Sequence, residues 1–279
     1  MIKYAFIALL FFKFANSQNV KVLQEHGFEN LQEFYKEDQY TLFYEDNLYR
    51  FPADGLYQVL ELINISTKAS NAKVVILNKG VPIVEMRFTS RDYAKLKTKN
   101  STIEDFLSVA TIDFTDEKYN TEKTLNNSYF KTDLSLRFQL DYTLGNFDNP
   151  IRQRVNFQPY LSTDLSKGVN FETYYNVPEF DDLGYKEPQV GLLRLSNDFK
   201  IDKSSFLNFN FGFFTFNRLG ITTNYLKFLY KDKLRMNIHL GLTRFGKLNK
   251  DLILYSYLNT DLRLDFFSDL TYRINKYDI

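Results

Sequence analysis

From residue 128 to the C-terminus, apolar and polar residues take turns along the chain. Over residues 132–142 the side chains of Leu134, Leu136, Phe138, Leu140 and Tyr142 occupy even positions, with Asp133, Ser135, Arg137, Gln139 and Asp141 between them. A period of two marks a strand with one apolar and one polar face. Gly145-Asn146-Phe147-Asp148-Asn149-Pro150 supplies the residue types a chain reversal needs. A second strand follows, with Val155 and Phe157 set against Arg152, Arg154, Asn156 and Gln158. The pattern returns at 169–177, 190–201, 206–216, 221–230, 234–245, 252–258 and 262–274. It predicts a mainly β protein in which residues 128–279 form an antiparallel outer-membrane-type β-barrel of about 8–10 strands, each of ~10 residues and so able to cross a bilayer at a tilt. A soluble sandwich uses the same alternation.

The upstream part has a different texture. Residues 20–27 read as a short helix stopped at Gly27. Segments 29–35 and 39–45 read as two strands around the charged turn Lys36-Glu37-Asp38, and 73–77 and 83–88 as two more. Between these pairs, Leu56, Val59, Leu60 and Ile63 recur at helical spacing behind Pro52 and Asp54. Residues 18–96 are therefore expected to form a small α+β module of the order ββαββ. Residues 97–127, rich in Lys, Thr, Asn, Asp and Glu with a weak helical patch near 103–109, are expected to be a linker or partly ordered adaptor.

Residues 1–17 carry Lys3, an apolar stretch and small residues at Ala15 and Ser17, the layout of a cleaved signal peptide. The module is then expected in the periplasm, with the strand connections at 164–168, 202–205 and 231–233 on its side. Those at 145–150, 179–187, 217–220 and 244–251 would face outward. The longest of them, 179–187, falls outside, where barrels let loops grow.

Composition sharpens this. Aromatic residues make up 17% of the 279, with 28 Phe and 20 Tyr but no Trp, and barrels use amphipathic rings at both membrane interfaces. The formal charge of +1 gives no bulk attraction to nucleic acid. With no Cys there is no disulfide framework, thiolate site or lipidated cysteine.

Candidate chemistry is sparse. No phosphate-binding glycine loop, zinc-binding His/Glu motif or nucleophile elbow is present, so no catalytic residue, metal or cofactor is assigned. His26 suits a helix end. His239, between Ile238 and Leu240, falls on a polar face; as a base it would suit an outer-membrane lipid or glycan hydrolase. Asp181 and Asp182 in the longest loop suit either calcium or solvent. Arg137, Arg152, Arg154, Asp133 and Asp141, with Gln139 and Asn156, share the polar face of the first two barrel strands. There they either contact sugar hydroxyls and carboxylates or pair with one another to fill the interior.

Four stretches carry a resemblance: Gly27-Phe28-Glu29-Asn30, Tyr49-Arg50-Phe51-Pro52-Ala53-Asp54, Asn146-Phe147-Asp148-Asn149-Pro150-Ile151-Arg152 and, more loosely, Arg218-Leu219-Gly220-Ile221. In order and spacing they resemble the YjbH-type exopolysaccharide and capsule proteins of the Gram-negative outer membrane, whose members are usually longer. The resemblance implies a non-enzymatic outer-membrane barrel with a periplasmic module. Its expected partners are outer-membrane lipid, a surface polysaccharide and other periplasmic or outer-membrane export proteins.

Overall fold

The computed structural model describes residues 18–66, 69–144, 151–181, 187–214, 217–229, 233–248, 254–255 and 262–272. The expected signal peptide, the 145–150 reversal and Asp182 lie outside these residues.

The N-terminal chain opens with helix α1 (Gln18–Glu25), whose Val20 and Leu23 are buried. It stops at Gly27, and strands β1 (Glu29–Lys36) and β2 (Gln39–Glu45) then pair antiparallel. Helix α2 (Pro52–Leu62) starts with proline in its first turn and buries Val59 and Leu60. It carries the chain across to β3 (Asn71–Asn78), which joins β2 in parallel. Strand β4 (Val81–Thr89) returns antiparallel to β3. The expected ββαββ order is therefore present.

The chain continues the module where a linker was expected. Helix α3 (Ser90–Lys97) is capped by Thr89, whose side chain accepts from the Asp92 N–H. Helix α4 (Ile103–Val109) begins with a capping box between Thr102 and Asp105, and β5 (Thr111–Phe114) pairs with β4. The five strands lie in the order β1-β2-β3-β4-β5. The polar composition of 97–127 hides a few aromatic anchors: Phe106 packs edge-on against Phe88 with ring centroids 5.1 Å apart, and Tyr119 is buried against Phe43. Each buried aromatic of this size contributes about 1.5–3 kcal/mol, enough to dock a short polar segment.

Beyond the module come β6 (Thr132–Leu144), β7 (Ile151–Ser166), β8 (Val169–Asp181), β9 (Gln189–Asp202), β10 (Ser205–Phe214), β11 (Arg218–Leu229) and β12 (Leu234–Phe245). A two-residue hairpin of β13 (Lys247–Leu248) and β14 (Leu254–Tyr255) precedes β15 (Leu262–Tyr272). The sheet runs in the order β15-β12-β11-β10-β9-β8-β7-β6, an antiparallel meander of eight strands. Of segment 252–258, expected as a barrel strand, Leu254 and Tyr255 are described and form β14 of the side hairpin; the described strands of the large sheet number eight, and Tyr272 ends beside Leu234 at the module's end.

The sheet does not close. Closure requires the first and last strands to meet in register at a fixed shear. Here β6 and β15 each pair on one side only, and among the described residues nothing pairs with their outer edges. Both edge strands are exposed along nearly their whole length.

The two faces have opposite character across the sheet. Phe171, Leu195, Phe211, Ile221, Leu242 and Leu264 are successive cross-strand partners from β8 to β15. One residue along, Asn170, Ser196, Asn210, Thr222, Gly241 and Asp265 form the matching row on the other face. Leu195, Phe211, Ile221, Leu242 and Leu264 are 41–74% exposed, whereas Asn170, Ser196 and Asn210 are 2–4% exposed. The sheltered, inner face is the polar one.

The module sits against one end of this sheet, the end with the short turns. Gly168, in the β7–β8 turn, donates its N–H to the Lys79 carbonyl at 2.7 Å and accepts from the Asp198 N–H at 2.7 Å. Its φ is +75° and a Cβ there would lie 2.3 Å from the Asp198 oxygen, so only glycine fits this crossing point. Lys79 Nζ reaches Asp198 at 3.0 Å, Lys203 pairs with Asp113, and Lys200 donates to the Pro82 carbonyl at 3.0 Å. Phe114 closes the joint against Phe228, with ring centroids 4.8 Å apart, and Phe206 at 5.8 Å.

Candidate functional site

The polar residues singled out on β6 and β7 share the inner face, and the structure pairs several of them. Arg154 donates from Nη2 and Nε to Asp141 Oδ2 at 2.7 and 3.1 Å, and Gln139 donates to Asp141 Oδ1 at 2.8 Å. Arg137 stacks over the Tyr160 ring, 3.7 Å from its centroid. Asp133 lies opposite Ser162 and Arg152 opposite Thr143, near the two ends of the same hairpin. The network continues through Gln158, which donates to Gln139 and Asn176, and through the Arg194–Glu172 ion pair. Side-chain pairing across neighbouring strands accounts for Asp141 and Arg154.

A second polar ladder occupies the inner face of β9 to β12. Asn208 donates to Asp198 Oδ1 at 2.6 Å and accepts from Asn224 at 3.2 Å. His239 meets Asn224 Oδ1 at 2.6 Å through Nδ1. A base is normally oriented by a carboxylate or carbonyl and set against a nucleophile. Asn224 supplies such a carbonyl oxygen to His239, and among the described residues no nucleophile is hydrogen-bonded to the ring. His26 Nδ1 lies 2.8 Å from the Val22 carbonyl, at the end of α1. Asp181 ends β8. Among the described residues no group of three His, Cys, Asp or Glu side chains could hold a metal ion.

Where this ladder reaches the module, a cavity of about 950 Å³ opens between the two. Tyr44, Asp46, Tyr49, Arg50 and Leu56 line it from the module, and Phe206, Asn208, Asn224, Phe228, Arg235 and Asn237 from the sheet. Asp46 is held at the mouth of α2, where its Oδ1 accepts from the N–H groups of Leu48 at 2.9 Å and Tyr49 at 3.0 Å. Tyr44 is fully buried, and burial together with the nearby Asp46 holds its hydroxyl far above the ordinary phenol range. Phe28 touches both rings, edge-on to Tyr44 at 5.7 Å and stacked on Tyr49 at 6.0 Å.

Beside the cavity, a buried polar knot joins module to sheet. Glu45 is 1% exposed and accepts from Asn30 Nδ2, the Lys79 N–H and, at 3.0 Å, the Gly80 N–H. Asn30 also donates to Ser128 Oγ at 2.8 Å and accepts from the Ser128 N–H at 3.2 Å, at the start of the chain's passage to β6. Desolvation holds Glu45 above the usual carboxylate range, against the three donors that favour its charged form.

None of the cavity or knot residues was marked as functional by sequence. The signal that touches them is the pair of stretches 27–30 and 49–54, which the fold brings together through Phe28 and Tyr49 and which contribute Asn30 to the knot and Arg50, Pro52 and Ala53 to the cavity wall. Comparison of the chain with protein-family models, with curated proteins and with solved structures finds no match.

Proposed function

We propose that this chain is an outer-membrane β-barrel protein that takes part, without catalysing a reaction, in assembling or exporting an exopolysaccharide or capsule. The observation that carries the membrane reading is the inverted sheet. In water an antiparallel sheet shelters its apolar face and wets its polar one. A soluble sandwich likewise places the apolar faces inside. Here Asn170, Ser196 and Asn210 are sheltered while Leu195, Phe211, Ile221 and Leu264 face outward, the arrangement hydrocarbon selects. Strands of 10–16 residues suit a tilted crossing. In a bilayer the free edges of β6 and β15 carry backbone groups that no lipid satisfies, and pairing them closes the barrel. Their antiparallel directions permit it.

The module's seat at the short-turn end favours a periplasmic position, where other export proteins would meet it. The inner face, with its guanidinium and amide groups, offers a hydrated polymer hydrogen bonds in place of water. Deleting the gene from its source bacterium is expected to lower cell-surface polysaccharide several-fold, with wild-type chain restoring it. Unchanged polysaccharide would remove the export role.

A further inference from the structure

The seam between module and sheet differs from the interior of either. Among the described residues each hydrophobic core cluster lies wholly on one side, around Leu23, Tyr44 and Phe106 and around Phe43 and Tyr119 in the module, and around Val190 and Phe213 in the sheet. Across the seam the bonds are polar: Gly168 to the Lys79 carbonyl, Lys79 to Asp198, Lys203 to Asp113, and Lys200 Nζ to the carbonyls of Pro82 and Thr115. Phe114 adds ring contacts to Phe206 and Phe228. The seam also leaves a cavity of about 950 Å³. A polar, incompletely packed joint between units with separate cores is the kind that permits relative motion.

The seam lies over the polar face. Asp198 and Lys200 of β9 alternate with Ser196, Phe206 of β10 with Asn208 and Asn210, and Phe228 of β11 with Thr222 and Asn224, so the module meets β9 to β11 through inner-face residues. With the β7–β8 turn at Gly168, its seat spans five neighbouring strands of the eight, β7 to β11. The chain crosses from module to sheet once. Ser128 is bonded to Asn30 of the module, and Phe130, at φ +61°, donates its N–H to the Asp164 carbonyl of β7 at 2.7 Å. The crossing is therefore at β7, and the contacts of Phe114, Lys200 and Lys203 lie on the other side of the seat.

We propose that the module is a lid, hinged at residues 128–130 and latched by Phe114, Lys200 and Lys203 over the short-turn end of the polar face, and that this face opens to the periplasm only when the latch releases. Hinges of this kind take up the motion at a few loop residues. An eight-stranded interior is narrow, so covering one end decides whether water and solute reach the inner face from that side. The hydrogen bonds of the latch exchange for bonds to water at small net cost. The partly exposed Lys203–Asp113 pair contributes little by itself, and the packing of Phe114 supplies most of the hold. The inference rests on the membrane reading and goes beyond it in giving the module a gating role.

The test uses the absence of cysteine from the chain. Leu226→Cys places one thiol on the inner face, in the wall of the cavity. Its rate of reaction with a maleimide carried on a polyethylene glycol chain is measured on the full chain in detergent. The thiol is expected to react slowly while the latch is intact. Phe114→Ala is expected to speed the reaction about 10-fold, and Lys203→Asp, which sets two carboxylates together at a partly exposed turn, about 3-fold. Lys203→Arg, which keeps the charge, should leave the rate unchanged. A thiol placed on the outer face by Ile221→Cys should react at one rate in all of these chains, which separates lid opening from unfolding of the sheet. Lys203→Asp alters no buried group, so it decides the matter even where Phe114→Ala does not fold. Equal rates at Leu226→Cys with and without the latch substitutions overturn the lid. The heat-dependent gel shift of the same preparation reports on the barrel by itself: equal rates with the shift present remove the lid alone, and absence of the shift removes the membrane reading and the lid with it.

Discussion

Replacing Glu45 with alanine is expected to destabilise the module by about 3–5 kcal/mol, because three buried donors lose their acceptor at once. Those donors are Asn30 Nδ2, which keeps a second acceptor in Ser128 Oγ at 2.8 Å, and the N–H groups of Lys79 and Gly80. All the described helices lie in the module, so the helical part of the ellipticity at 222 nm follows its unfolding, over a contribution from the strands of both sheets. Its midpoint should fall by more than about 10 °C. A fall of under about 3 °C would show that water replaces the carboxylate without penalty. Glu45 also gives the transition a pH dependence with a definite sign. Its folded pKa is raised above the ordinary 4.5 by desolvation. A raised folded pKa means that the folded state holds the proton more tightly than the unfolded one. This contribution to stability is therefore complete below 4.5 and is lost as pH climbs through the higher folded value. The Glu45→Ala module should lack that component.

The second large effect is expected on the outer face of the sheet. Phe209 lies near the middle of β10, pairs with Asn197 and Thr223 on that face, and is 44% exposed. In water Phe209→Arg at such a position would change stability within about ±0.5 kcal/mol and favour solubility. At the midplane of a bilayer the same change costs about 2–4 kcal/mol. Membrane assembly of Phe209→Arg should therefore drop sharply in cells, while Asn210→Ser, the neighbour on the inner face, should assemble nearly as wild type. Equal recovery of Phe209→Arg and wild type from membranes would mean that the apolar face meets water.

The alternation of Leu134, Leu136, Phe138 and Leu140 with polar residues was legible because a strand's period of two needs no tertiary information. The helical spacing of Leu56, Val59 and Leu60 on α2 was legible from the sequence in the same way. Residues 97–127 were not legible as part of the module. The helical patch near 103–109 is α4, but a single phenylalanine, Phe106, anchors it, and one buried residue in a polar stretch does not tell that the helix packs on the module. In segment 252–258, which alternates, the described pair Leu254 and Tyr255 forms β14 against β13, since alternation specifies two faces and says nothing about which neighbour pairs. Sequence placed Asp141 and Arg154 on one face, but only their separation of 2.7 Å distinguishes an ion pair from two ligand contacts. The cavity lay furthest out of reach. Its lining joins Tyr44 of β2 with Phe228 of β11, residues far apart in the sequence that meet only once the chain is folded.

The proposed membrane placement of the sheet is tested most directly by fractionating cells that express the full chain, then comparing its gel migration in SDS with and without boiling. Recovery in the outer membrane after carbonate extraction, with faster migration before boiling, is the expected result, because a closed barrel resists SDS until heated. Recovery in the soluble periplasm, with one mobility under both conditions, would contradict it and leave the apolar face of Phe211, Ile221 and Leu242 without the hydrocarbon it calls for.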